Sequence, residues 1–334
     1  MKTKKAAPKQ QAELQVLAAD NYHAALVKAI TKAKKRVVLA AMVVVWGERT
    51  APVFEAVKEA VQRGVQVTIL LDNYTRLSSR YHLQPRITRN ERIERTFKTL
   101  EELSSLGATI HCFGKIGIVP YKGRCHVKIS VIDDTFFSFG GVNLVDQDFG
   151  QQDYMMQGTN AATAAQLDNL VRQIGTQVPP LPDSETSLTG NNTMLFDGGR
   201  QGHSIIYERA CELVAHAKRV YYVSQYTPSG HLAELMHETE TTCYYNRPEQ
   251  LAVPDAWAQA FDQQRYRIDN TYTGASYIHA KFILAELKSG QYASICGSHN
   301  FSYRGVAFGT QELALYSTDK AIWNQLHAFM KQLT

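Results

Sequence analysis

The chain has 334 residues, 44% hydrophobic and 20% charged, the balance of a folded globular protein with enough length for one large core or two ordinary ones. Disordered and fibrous classes are excluded, and the five scattered cysteines (Cys112, Cys125, Cys211, Cys243 and Cys296) form no C-x-x-C pair, which argues against a disulfide framework or a zinc site and fits a reducing cytosol. Net charge is +5 but uneven: residues 1–175 hold 24 Lys and Arg against 16 Asp and Glu, and residues 176–334 hold 12 against 15, so the basic half suits a phosphate-rich partner, anionic lipid or nucleic acid.

The N-terminal MKTKKAAPKQQAELQ is basic without a following apolar stretch and does not read as a secretory signal. AALVKAITKAKKRVVLAAMVVV reads as a helix that ends in a Lys/Arg cluster and runs into a β-type apolar segment. The longest apolar run, Val37 to Trp46, is about half the length that a spanning helix needs, so any membrane contact is expected to be peripheral. A second helix starts at Pro52 and stops at Gly64, a C-terminal cap before the strand VQVTILLDN. Tyr74 to Lys98 carries Arg76, Arg80, Arg86, Arg89, Arg92, Arg95 and Lys98 against Glu91 and Glu94. That stretch reads either as a solvated helix face or as an arm for anionic headgroups or nucleic-acid phosphates.

The second half echoes the first. SIIYERACELVAHAKRVYYVSQY repeats the helix-to-strand pattern, with Lys218-Arg219-Val220 where Lys35-Arg36-Val37 stood, and SGHLAELMHE from Ser229 supplies the next helix. The stretch PPLPDSETSLTGNNT reads as a linker. The expected organisation is a first unit over 1–178, a linker over 179–195 and a second unit over 196–334. The fold class is α/β: two similar α/β/α units with mixed, mainly parallel sheets, related by a pseudo-twofold axis.

The closest echo lies late in each half, in RCHVKISVIDDTFFSFGGVNLVDQDFGQQDYMM and YIHAKFILAELKSGQYASICGSHNFSYRGVAFGTQELAL. Each begins with His-x-Lys, His126/Lys128 and His279/Lys281, followed five residues later by Asp133 or Glu286. Gly140-Gly141 with Asn143, and Gly297-Ser298 with Asn300, come next. Each copy closes on Phe-Gly-x-Gln-acid, ending at Asp153 and Glu312. On a strand, residues i and i+2 share a face, so each His-x-Lys presents imidazole and ammonium together, while Val127, Ile129 and Val131, or Ala280, Phe282 and Leu284, face the other way.

Those residue types suit a phosphodiester. Lysines neutralise its oxygens, one imidazole attacks phosphorus to form a phosphohistidine, and the other moves the proton. A carboxylate on the far ring nitrogen fixes the tautomer; Asp153 and Glu312 are the candidates, and Asn143 and Asn300 are candidate donors to phosphate oxygens. No cofactor or metal is expected.

The two segments resemble the paired H-x-K-x4-D signatures of the phospholipase D superfamily, in which one motif per half forms a single site between the halves. Glu286 departs from the usual Asp and Gly141 from the common Ser, positions that in the family mostly support the strand and loop; the role of Ser298 stays open. The residues leave open which histidine attacks, and resemblance to relatives points to His126, with His279 as acid and base. The segment GSHNFSYRGVAFGTQELAL looks most like bacterial phosphatidyl transferases of the cardiolipin synthase type, implying an anionic phospholipid substrate and a cytoplasmic protein peripheral to the membrane. The alternative is a nuclease or nucleic-acid phosphodiesterase. An inactive binding module would be expected to lose a His or Lys, and both pairs are intact. Asp134 is expected in a turn, Phe136, Phe137 and Phe139 in the sheet core, and the other histidines in surface or core positions. His299 is set apart by its place between Ser298 and Asn300.

Overall fold

The computed structural model describes residues 14–77, 86–115 and 122–333, with the side chains of 86–90 left aside. The basic segment 1–13 and Arg80 lie outside the described residues. In the first half the elements are β1 (Gln15–Ala18), α1 (Ala19–Lys32), β2 (Arg36–Ala41), α2 (Ala51–Gln62), β3 (Gln66–Asp72), α3 (Arg86–Ser105), β4 (Thr109–Phe113), β5 (Ile129–Ile132), β6 (Thr135–Ser138), β7 (Tyr154–Thr159) and α4 (Ala161–Thr176). In the second they are β8 (Ser184–Ser187), β9 (Asn192–Gly198), α5 (Ile205–Ala215), β10 (Ala217–Val223), α6 (His231–His237), β11 (Glu240–Tyr244), α7 (Val253–Tyr266), β12 (Phe282–Leu287), β13 (Tyr292–Gly297), α8 (Tyr303–Phe308), β14 (Gln311–Ser317) and α9 (Lys320–Met330).

Local chemistry accounts for the main helices. Tyr22, Leu26 and Ile30 recur every fourth residue on the buried face of α1, with Asp20 in its first turn and Lys32 in its last, each favourable to the helix dipole. Pro52 sits in the first turn of α2, where its missing N–H is no loss, and Gly64 after the helix takes φ 81°. Asn160, Ser204 and Asp319 cap α4, α5 and α9 with side-chain oxygens.

The strands form two seven-stranded sheets, ordered β1-β7-β6-β5-β2-β3-β4 and β11-β10-β12-β13-β14-β9-β8. The run β1-β7-β6-β5-β2-β3 of the first matches β9-β14-β13-β12-β10-β11 of the second, which is the pseudo-twofold echo seen in the sequence. The sheets are mixed but mainly antiparallel, a correction to the expected mainly parallel arrangement. Among the strands of the described residues, only β2–β3, β3–β4 and β10–β11 pair in parallel. A helical crossover joins each of those pairs, whereas β5 to β6 and β12 to β13 are hairpins too short to reverse direction any other way. Part of the expected linker is also strand: β8 pairs with β9 on the edge of the second sheet, its polar residues mostly exposed. The run from Val37 to Trp46 is strand only as far as Ala41; Val44 then bridges Leu144.

One apolar cluster includes Val127, Ile129 and Val131 of the first sheet with Ala280, Phe282 and Leu284 of the second, together with residues of α4 and α9. The outer faces are covered separately, by α1 and α2 on the first sheet and α5 and α6 on the second. Phe136, Phe137 and Phe139 are buried, as are Cys125, Cys243 and Cys296; all five cysteines are free thiols. Among the described residues no helix is long and apolar enough to cross a membrane.

Candidate active site

Both His-x-Lys segments lie one step upstream of the strands on which they were expected, in extended chain that leads into β5 and β12. The lead-in pairs with the opposite half instead of with its own sheet. His126 N donates to Gln311 O (2.8 Å) and Gln311 N to Arg124 O (2.8 Å); in mirror fashion His279 N donates to Gln152 O (3.0 Å) and Gln152 N to Tyr277 O (2.9 Å). The glutamine before each acidic residue thus splices the halves together and brings each acid to the other half's histidine.

The pairing is crossed. His126 Nδ1 lies 3.0 Å from both carboxylate oxygens of Glu312, and His279 Nδ1 lies 2.7 Å from Asp153 Oδ2. A carboxylate only accepts, so each ring donates from Nδ1–H and its Nε2 is left as a lone-pair nitrogen. Lys128 Nζ donates to His126 O (2.8 Å) and Lys281 Nζ to His279 O, and both lysines are buried.

Burial shapes the charges. It lowers Lys128 to about 7 and Lys281 to about 8, since a desolvated ammonium without an anion is costly. Burial also lowers His126, with Glu312 acting against the shift, and pushes His279 well below its ordinary value, Lys281 adding to the effect. Both imidazoles are therefore neutral near pH 7. Although burial raises the Glu312 carboxyl, His126, His299 and Lys128 outweigh it and hold the group at about 2. Asp153 is raised by burial to about 6 despite Lys281. The two halves are thus electrostatically unlike, and the side chains of each act on those of the other.

The supporting residues differ in the same way. Ser298 Oγ donates to Glu312 and receives the N–H of Leu313 at 3.0 Å. Its counterpart Gly141 has no room for a side chain: a Cβ there would lie 2.7 Å from Asp153 Oδ2 and 2.7 Å from His279 O. The carboxylate of Asp153 occupies the space that the serine uses in the other half. Asp133 is distant from the histidines. Its carboxylate takes the N–H groups of Lys34, Lys35 and Arg36, which together outweigh partial burial and keep its pKa low. Glu286 lies 3.5 Å from Arg219 on the sheet.

Asn143 is held within the first half: its oxygen accepts from Val43 N (3.3 Å) and its amide nitrogen donates to Asp148 (2.8 Å). The buried side-chain oxygen of Asn300 has no partner among the described residues. His299 is buried, takes the N–H of Phe301 on Nδ1 (2.8 Å) and is lowered to about 4, chiefly by burial. In the basic stretch, Arg76 stacks over Phe97, Arg95 over Trp46, and Arg92 lies 3.9 Å from Asp146.

Three residues were missed. Asp148, 3.8 Å from His279 Nδ1, stands before Phe149-Gly150, where the second copy has Ala307 before Phe308-Gly309; the unmatched acid was a signal. Asp72 ends β3 and Asn246 follows the matching strand β11, and the two anchor the lead-ins. Asp72 takes Cys125 N (2.8 Å) and pairs with the buried Arg124 (2.9 Å). Asn246 takes Ile278 N (2.7 Å) and donates to Ile278 O (2.7 Å). No local spacing marks either. Among the described residues no three His, Cys, Asp or Glu side chains cluster as metal ligands.

Residues 26–174 match a family model described as cardiolipin synthase, PLD-like domain. Phosphatidylserine synthase from Haemophilus influenzae Rd KW20 has a similar fold, with TM-score 0.70 and 14% identity over 96% of this chain and 85% of that one. Polyphosphate kinase from Porphyromonas gingivalis superposes with TM-score 0.61 and 13% identity over 97% of this chain, which spans 50% of the kinase. No curated protein sequence matches. Residues 26–174 thus match a PLD-like family model, and the two-sheet fold of the whole chain is similar to that of the synthase.

Proposed function

We propose that the chain catalyses phosphodiester transfer without metal, through a phosphohistidine, on an anionic phospholipid. The observation that carries the reading is the crossed pairing of each His-x-Lys imidazole with a carboxylate of the opposite half, which frees two Nε2 atoms beside two buried lysines. His126 is the nucleophile. Glu312 stays ionised at any working pH and both its oxygens face the ring, so the lone pair on Nε2 is held in place and the cation formed on attack is stabilised. As the N–P bond forms, the bond from phosphorus to the leaving alcohol breaks, and His279 gives its Nε2 proton to that oxygen. The acceptor hydroxyl then returns a proton to His279 and attacks phosphorus, releasing His126.

Lys128 and Lys281 supply the positive charge that a phosphodiester anion requires. Its negative charge in turn restores theirs and lets His279 take up the proton that burial denies it in the empty site. Phosphatidyl transfer of the cardiolipin synthase type draws support from the description of the matched family model and from the synthase with a similar fold. The test is a parallel assay, with EDTA present, on phosphatidylglycerol vesicles and on single-stranded DNA. Cardiolipin or phosphatidic acid is the expected product, the first reporting transfer and the second hydrolysis. DNA cleavage with inert lipid would overturn the substrate assignment in favour of a nuclease, and loss of all turnover in EDTA would overturn the metal-free mechanism.

A further inference from the structure

The helix α7 is inside out. Its most exposed side chains include Val253 (71%), Trp257 (78%) and Phe261 (62%), spaced every fourth residue and therefore on one stripe. Tyr303, 48% exposed, lies beside it across a shallow cleft of about 300 Å³ that Phe261 helps to line. The face turned towards the protein is polar. Gln259, the one buried residue of the helix, receives Thr227 N (3.2 Å) and donates to Asn246 O (2.6 Å). Gln263 donates to Tyr245 OH (2.9 Å). Asp255 and Asp262 are turned inward to Arg304, at 3.9 and 3.6 Å. An ordinary surface helix has the opposite arrangement, and an outward stripe of Trp, Phe and Val is the kind of apolar surface that marks an interaction site.

We infer that α7 is a membrane-docking element that lies in the interfacial region of an anionic bilayer, with Val253, Trp257, Phe261 and Tyr303 inserted. This rests on the phospholipid reading above. Charge favours a lipid surface over a protein partner. Both acids of the helix are partly buried and face Arg304, and the charged side chain left exposed on it is Arg265, so little on the helix repels anionic headgroups. Tryptophan and tyrosine suit the boundary where one end is apolar and the other wet. The helix is also tied to the site: Gln259 holds Asn246, and Asn246 holds Ile278 on both its N–H and its C=O, immediately before His279. Docking through α7 therefore sets the membrane surface at the end of the second sheet where the His-x-Lys lead-ins meet.

The test is flotation of the full chain with vesicles of phosphatidylglycerol and phosphatidylcholine, against vesicles of phosphatidylcholine alone. The wild type is expected to favour the anionic vesicles, and Trp257→Ser/Phe261→Ser to lower partitioning by about 30-fold or more, with hydrolysis of soluble bis(p-nitrophenyl) phosphate unchanged. Trp257→Phe is expected to keep binding while losing the quenching of fluorescence by brominated lipid. Undiminished binding in the double variant, undiminished quenching in Trp257→Phe, or a solution dimer that the double variant dissociates would overturn the inference. The two readings fail separately. Turnover of phosphatidylglycerol in detergent micelles by a protein that never floats would remove the docking helix and leave the substrate. Flotation without turnover of phosphatidylglycerol would do the reverse.

Discussion

Replacing Glu312 by Gln tests the central pair with little change of shape. In the wild type both Glu312 oxygens face His126 Nδ1 at 3.0 Å, and Ser298 donates to one of them. A glutamine oxygen can still accept from the ring, and its NH2 can turn to Ser298, so the fold is expected to survive and the loss to report charge. Removing the carboxylate charge from a hydrogen-bonded histidine costs up to about 10⁴ in kcat in well-studied pairs. With one oxygen still accepting here, the expected loss is about 10² to 10⁴, or roughly 3–5 kcal/mol of barrier. The pH profile should move as well. Burial lowers His126 and Glu312 raises it; without the anion the imidazolium is disfavoured further, so the acid limb of kcat/KM should shift to lower pH. The assay is hydrolysis of bis(p-nitrophenyl) phosphate with EDTA present, from pH 4 to 9, with thermal unfolding followed by circular dichroism. Activity within about threefold of wild type, or an acid limb moved upward, would refute the role given to Glu312.

Because burial holds Lys128 at about 7 and Lys281 at about 8, an oxyanion that binds between them raises both and takes up protons. Titration calorimetry with vanadate at pH 8.5 should show heats that vary with the ionisation enthalpy of the buffer, and affinity should fall as pH rises above about 8. Buffer-independent heats would contradict this. Gly141→Ser drives a Cβ into the Asp153 carboxylate and should cost about 1–3 kcal/mol of stability, read by urea unfolding, with a fall in kcat as Asp153 is displaced; Ser298→Gly, which leaves space instead, should cost about 1 kcal/mol. Arg124→Met strands the buried Asp72 and should destabilise by about 3–5 kcal/mol in the same measurement, with Asp72→Leu/Arg124→Met less damaging than the single change.

The basic stretch shows where charge counting stops. Arg76, Arg92 and Arg95 find partners in Phe97, Asp146 and Trp46, so their side chains serve local packing as well as net charge. Spacing predicts that cations gather there, and the neighbours they meet come from other elements.

The amino-acid sequence by itself determined what depends on local spacing. The period of two in H-V-K-I-S-V and H-A-K-F-I-L sends Val127, Ile129, Val131, Ala280, Phe282 and Leu284 into the shared core and the histidines and lysines to the opposite face, whatever the rest of the chain does. The repeat itself foretold two matching sheets. Strand direction was misjudged because apolar strands alternating with helices look alike in parallel and antiparallel sheets; the short turns at Asp133-Asp134 and Lys288–Gln291 decide it. Only the tertiary structure crosses the pairs, giving His126 the acid 186 positions away and His279 the one 126 away. Only it brings Asp72, Asn246 and Asp148 to the site. Such contacts depend on how two sheets meet, and no periodicity along one chain segment records the position of another.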